Sequence, residues 1–177
     1  MPHLKCLPED ASLADLRAAA PELFGKLQPY GEELMRGPSP LSPGERELIA
    51  AYVSGLNSCT YCYGTHAKVA EAFGLSETLV AALVEDVETA PIRDSLRPLL
   101  RYAGKLTVTP SRMTPADAEA VHAAGWDDTA LLHTIAVCAY FNNMNRLVEG
   151  AGITGTAASH AEGADRLARA GYLPPKG

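Results

Sequence analysis

The stretch from Ser42 to Gly74 constrains the fold most tightly. Ser42-Pro43-Gly44-Glu45 is the clearest helix start in the chain. Serine caps, proline takes the first helical position where its missing N–H costs nothing, and Glu45 closes a capping box. The helix it opens runs to about Leu56, with Leu48, Ile49, Tyr52 and Val53 as a buried stripe. Asn57-Ser58 breaks that helix and can cap the next, Cys59 to Phe73, which Gly74 ends. With so tight a turn between them, the two helices fold back as an antiparallel hairpin.

Helix signals fill the rest of the chain. Ser12 caps a helix through Ala20, and Leu23 to Met35 is interrupted at Pro29 and Gly31, which predicts two short pieces. Gly37-Pro38-Ser39-Pro40 reads as a loop. Ser76 caps a helix to about Val84 or Asp86, and another spans Ile92 to Leu106, with a kink or break expected at Pro98. Thr114-Pro115-Ala116-Asp117 repeats the cap-then-proline start, and Gly125 stops that helix. Asp127 and Asp128 begin a long helix reaching Val148, with Gly150 after it. A last amphipathic helix, 157–170, precedes a proline-bearing tail. Alanine and leucine are plentiful, aromatics make up only 6%, and no segment reads as a strand. The expectation is an all-α fold in one domain, residues 1–177.

Charge and cysteine usage narrow the function classes. A net charge of −6 argues against nucleic acid or an anionic membrane surface as partner. No run of roughly 18 apolar residues exists to span a bilayer, and the amino terminus lacks the apolar stretch of a signal peptide. Four cysteines, Cys6, Cys59, Cys62 and Cys138, are too few for a secreted disulfide scaffold, so a cytoplasmic location is expected. In a reducing compartment a Cys-x-x-Cys pair is catalytic or metal-binding more often than structural. Cys138 lies in the most apolar segment and reads as core, as does His133 with a hydrogen-bond partner. His3, His122 and His160 read as exposed. No nucleotide-binding fingerprint is present, so no nicotinamide or other cofactor is expected.

Cys59-Thr60-Tyr61-Cys62-Tyr63-Gly64-Thr65-His66 carries the chemistry. If the run is helical from Cys59, successive residues turn about 100°, which puts Cys59, Cys62 and His66 on one face. The cysteine Cα atoms would lie about 5 Å apart, a span a disulfide tolerates. Free amides at a helix start lower thiol pKa values, most strongly at Cys59, whereas His66 sits one turn from Cys62 and can act on that thiol. The hairpin brings Glu47 beside His66, where a carboxylate can orient the imidazole. Zinc would need a fourth ligand beyond Cys59, Cys62 and His66, and no second pair of ligands follows. The pattern reads as a redox site.

The stretch Leu41-Ser42-Pro43-Gly44-Glu45-Arg46-Glu47-Leu48-Ile49-Ala50 through Cys59-x-x-Cys62-x-x-x-His66 resembles the core of the alkylhydroperoxidase AhpD, in the carboxymuconolactone decarboxylase-like superfamily. The motif core covers 41–73, and Phe141-Asn142-Asn143-Met144-Asn145-Arg146 resembles a segment of the peroxidase-related branch. The resemblance implies an AhpD-like helical bundle and a cysteine-based peroxidase that reduces organic hydroperoxides. It implies Cys62 as peroxidatic thiol, Cys59 as resolving thiol, and His66 with Glu47 as proton relay. It also implies an external dithiol reductant such as a lipoylated protein, service to a peroxiredoxin, and a homo-oligomer, trimer or hexamer. The chain departs from AhpD at Tyr61, where AhpD has a histidine. Loss of that proton carrier implies slower peroxidase turnover or general thiol–disulfide exchange. Separate alternatives are a redox-sensing module and lactone decarboxylation, which does not depend on a cysteine pair and which the pair counts against.

Overall fold

The computed structural model describes residues 1–173 (Glu77 by its backbone only); the proline-bearing tail lies outside the described residues. Among those residues the chain is helical throughout, with no strand: α1 Leu13–Ala19, α2 Pro21–Phe24, α3 Leu27–Arg36, α4 Pro43–Leu56, α5 Thr60–Ala72, α6 Glu77–Glu85, α7 Arg97–Val108, α8 Pro115–Ala123, α9 Asp128–Ala151 and α10 Ala157–Ala170. Two single 3-10 turns, Asp94–Leu96 and Pro110–Arg112, lead into and out of α7.

The boundaries follow local chemistry. Ser42 and Glu45 form the reciprocal capping box, with Pro43 at the start of α4. Thr114 and Asp117 do the same for α8, and Ser12 and Asp15 for α1. Pro98 falls in the first turn of α7, where its missing N–H leaves no gap in the ladder, so the helix begins there and is not kinked.

Four expectations are corrected. The 23–35 region does split in two, but at Gly25-Lys26; Pro29 and Gly31 both lie inside α3, Pro29 in the first turn where an orphan N–H is no loss. Gly150 is inside α9, and the helix stops at Gly152, whose left-handed φ of 69° ends it. The helix after the break starts at Thr60, with Cys59 as its cap residue in extended conformation and Ser58 at φ 56°, so Cys59 is outside the helix. The hydroxyl of Ser76 caps nothing; it pairs with Thr78 instead.

Close approaches set the register of α4 on α5. Gly44 packs against Phe73, Glu47 against His66 and Gly55 against Tyr63, so the two helices run side by side in opposite directions. A Cβ on Gly55 would also collide with Val84 of α6, which explains the glycine at that crossing. The main core gathers Ile49 and Val53 of α4, Val69 of α5, Leu99 and Leu100 of α7, and Val137 and Phe141 of α9, all fully or almost fully buried. Each such side chain contributes roughly 1.5–3 kcal/mol. A second, smaller cluster joins Cys59 and Cys62 to Leu16, Val148, Ala151 and Ile153. The thiols therefore sit between that apolar cluster and the polar pair on the inner side of α5. Among the described residues no helix is long and apolar enough to cross a membrane.

Candidate active site

Glu47 is the polar centre of the molecule. Its side chain is fully buried on α4, and three donors reach it. Oε2 lies 2.6 Å from Nδ1 of His66. Oε1 takes Arg36 of α3 at 2.8 Å and the hydroxyl of Tyr172, just past α10, at 2.9 Å. Burial pushes the carboxyl pKa up, but the His66 charge and hydrogen bond, joined by Arg36, outweigh it and hold Glu47 below the usual value. An ionised carboxylate only accepts, so Nδ1 of His66 carries the hydrogen between them. The imidazole is fixed by Phe141 edge-on at 4.5 Å and by the Tyr172 ring stacked at 6.2 Å.

One turn before His66 on α5 lies Cys62, 4% exposed; Cys59 is completely buried and both thiols are free. The two sulfurs titrate in opposite directions. The Cys59 thiol stabilises a charge on Cys62, burial opposes it, and the His66 charge with a hydrogen bond from Asn145 leaves Cys62 lowered overall. Cys59 is pushed far up by its hydrogen bond to Cys62 and by burial, with Glu149 adding to the effect. Cys62 is the third residue of α5 and so shares the free amides of the first turn, while Cys59 stands before it. The helical placement of Cys59 assumed from sequence does not hold, and the field of the helix start favours Cys62. Among the described residues no group of three or more His, Cys, Asp or Glu side chains is arranged to hold a metal ion.

The turn that carries Cys59 is held by amides. Asn57 Nδ2 donates to Oδ1 of Asn142 at 3.1 Å and of Asn145 at 2.9 Å, and Asn145 Nδ2 donates to the Ser54 hydroxyl at 3.0 Å. The Cys59 amide donates to the Ser54 carbonyl at 2.9 Å. The unusual Asn-rich run of α9 thus buttresses the Cys-x-x-Cys turn. An open cavity of about 270 Å³ is lined by Asn57, Asn145, Arg146 and Glu149. Two of those residues bear on the thiols: Asn145 favours the charged form of Cys62, and Glu149 disfavours it at both Cys62 and Cys59.

Arg36 and Tyr172 are the partners sequence reasoning missed. Arg36 resembled an ordinary cation in the last turn of a helix, and Tyr172 the start of a tail; neither carries a local signal. Arg46, also unremarked, is buried and donates from Nη1 to the carbonyls of Leu34 and Gly37, both at 2.9 Å, which fastens the end of α3, and so Arg36, onto α4. Two tyrosines close to the motif in sequence point elsewhere. The Tyr61 hydroxyl accepts from the Leu13 amide at 3.4 Å with its ring edge-on to His160, and Tyr52 packs on Gly104. His160 is not simply exposed but half-buried, wedged against Gly64 and Gly155. His133 has a buried Nδ1 with no partner and lacks the hydrogen bond expected of it, whereas Cys138 is a core residue bonded to the Ala103 carbonyl at 3.4 Å.

The fold is helical and carries a thiol pair at a helix start, backed by a buried glutamate–histidine pair. Residues 21–91 match the model of the carboxymuconolactone decarboxylase family. The fold is similar to that of an uncharacterized peroxidase-related protein from Silicibacter sp., with a TM-score of 0.76 and 29% identity, covering 82% of this chain and 76% of that one. It is also similar to a peroxidase-related protein with an alkylhydroperoxidase AhpD core from Ralstonia eutropha, with a TM-score of 0.77 and 25% identity, covering 84% and 78%. An uncharacterized Escherichia coli protein, YnjA, is 35% identical over 98 residues, 54% of this chain and 53% of that protein, so the match spans about half the length of that relative. The family match over residues 21–91 and these structural neighbours support a relationship to the AhpD-like, carboxymuconolactone decarboxylase superfamily.

Proposed function

We propose that the chain is one AhpD-like domain, residues 1–177, acting as a cysteine-based peroxidase on organic hydroperoxides. The observation that carries this reading is the asymmetry of the thiols: Cys62 is lowered and lies one turn from His66, whose other side is tied to Glu47 at 2.6 Å. The Cys62 thiolate attacks the distal peroxide oxygen. The O–O bond breaks, Cys62 becomes a sulfenic acid, and the alkoxide leaves as the alcohol after taking a proton from the His66–Glu47 pair. Cys59 then attacks the sulfenic sulfur, forming the Cys59–Cys62 disulfide and releasing water. An external dithiol restores both thiols and is itself oxidised to a disulfide.

The burial of both sulfurs favours small or slender reactants over a broad protein surface. A hydroperoxide and a lipoyl arm fit that requirement, so a lipoylated protein is the favoured reductant and a peroxiredoxin a candidate partner. A homo-oligomer, trimer or hexamer, is part of the same reading, supported by exposed Leu132 and Tyr30. A second reading, general thiol–disulfide exchange, draws on Tyr61, whose phenol is tied to the Leu13 amide and supplies no second proton carrier. Decarboxylation of a lactone ranks below both because it leaves the thiol asymmetry unused.

Consumption of cumene hydroperoxide with a dithiol present tests the reading. The wild type should turn over and Cys62→Ser should not. A Cys62→Ser protein of full activity rules the mechanism out, and faster reaction with small disulfides than with hydroperoxide favours the second reading.

A further inference from the structure

A fully buried carboxylate is stable only when its charge is met, and the partners of Glu47 are divided between its two oxygens. Oε1 receives Arg36 at 2.8 Å and the Tyr172 hydroxyl at 2.9 Å; Oε2 is left to His66 at 2.6 Å. Two donors converging on one oxygen fix the rotation of the carboxylate and so the direction in which the other oxygen points.

Charge counting gives the arrangement a purpose. A buried glutamate paired with a histidine alone is electrically neutral only while the imidazole is protonated, and such a pair holds its proton. Arg36 supplies a permanent cation, so the Glu47–Arg36 pair is neutral with a neutral imidazole beside it. His66 can then release a proton without leaving Glu47 as an unpaired buried charge, and the imidazolium formed on proton uptake is balanced by a Cys62 thiolate. The groups facing this centre are Arg36 and Glu32 from α3, Arg46 and Glu47 from α4, Cys62 and His66 from α5, Tyr140 from α9, and Tyr172.

Tyr172 is tied down at more than its hydroxyl. Its amide donates to Glu32 at 2.5 Å, its carbonyl accepts from Gln28 at 3.4 Å, and the Arg36 guanidinium lies over its ring at 5.2 Å. Its ring plane is within 10° of that of His66. Arg36 in turn donates to the Leu167 carbonyl of α10 at 3.1 Å. The segment after α10 is thereby laced to α3 directly over the imidazole.

We propose that Tyr172 and Arg36 are positioning residues, which clamp Oε1 of Glu47 so that Oε2 holds His66 with Nδ1 protonated and Nε2 as the free proton acceptor. This rests on the thiol-redox reading of the site, because a free Nε2 serves proton exchange with the Cys62 chemistry. Donors to one carboxylate compete, so losing one strengthens those that remain.

The test is proton NMR of the protein labelled with 15N-histidine, with the His66 Nδ1–H resonance assigned by its loss in His66→Gln. In Tyr172→Phe, which removes only the hydroxyl, that resonance is expected further downfield than in the wild type. Reaction of Cys62 with cumene hydroperoxide is expected to slow about tenfold, the scale of one hydrogen bond to a charged group. Arg36→Gln should move the resonance in the same direction and further. Superimposable resonances in the wild type and both variants overturn the clamp. A wild type inert to hydroperoxide removes the peroxidase reading, and the resonance comparison still decides the clamp on its own.

Discussion

Glu47 and His66 stand 19 positions apart in the chain, yet 2.6 Å separates Oε2 of one from Nδ1 of the other across two antiparallel helices. The contact joins the least solvated carboxylate among the described residues to the imidazole one turn from the more acidic thiol. Arg36 and Tyr172 complete it from elements at either end of the sequence.

Removing the charge of Glu47 while keeping its shape leaves Arg36 facing a neutral amide in a largely buried position. Glu47→Gln is expected to lower unfolding free energy by about 3 kcal/mol, the scale of breaking a buried ion pair from one side. Urea denaturation measures it. A midpoint unchanged from wild type would show that the carboxylate charge is not what the surrounding donors are built to hold.

The same group gives stability a direction in pH. The Glu47 carboxyl is held below its ordinary value of 4.5, so its contribution is present above that value and is lost as pH falls through the lower, folded-state pKa. Thermal unfolding followed from pH 7 downward should show the melting temperature falling below about pH 4.5, with a shallower fall in Glu47→Gln. Parallel curves for the two proteins would refute this assignment.

Cys62 is lowered and Cys59 raised, so the two thiols should alkylate in sequence. In a Cys6→Ser background, which removes the exposed thiol, limiting iodoacetamide at pH 7 is expected to label Cys62 well before Cys59. Peptide mass spectrometry reads the order, and preferential labelling of Cys59 contradicts the thiol assignment.

Asn145 is 1% exposed, accepts from Asn57, donates to Ser54 and supports the Cys62 thiolate. Asn145→Ala leaves the Asn57 amide and Ser54 hydroxyl short of a partner. A loss of roughly 1–3 kcal/mol in stability is expected. The pH at which Cys62 becomes half-reactive to iodoacetamide should rise as well. Loss of stability with an unmoved alkylation profile would reduce Asn145 to a structural brace.

What the sequence discloses and what it hides follow from the range of the interactions. Ser42 with Glu45 and Pro98 act within a turn of backbone, so they are legible in one dimension and mark the starts of α4 and α7. The nearness of Glu47 to His66 is legible because the short break at Asn57-Ser58 leaves the chain no other way to fold back. The start of α5 is misread by one residue, since nothing local distinguishes Cys59 as a cap from Cys59 as a first helical residue, and that residue decides which thiol the helix start favours. Gly150 and Gly152 look alike as stop signals, and only packing of the last turn of α9 on the N-terminal segment selects the second. Arg36 and Tyr172 are invisible because their partner is a carboxylate on another helix, brought to them only when α3, α4 and α10 have packed.

The central claim is that Cys62 is the sulfur that meets peroxide and Cys59 the one that resolves it. Mass spectrometry after stoichiometric cumene hydroperoxide tests this most directly, with dimedone present to trap sulfenic acid. The expected result is a Cys59–Cys62 disulfide in the wild type and a dimedone adduct on Cys62 in Cys59→Ser. An adduct on Cys59 in Cys62→Ser, with Cys62 unmodified in Cys59→Ser, would contradict it.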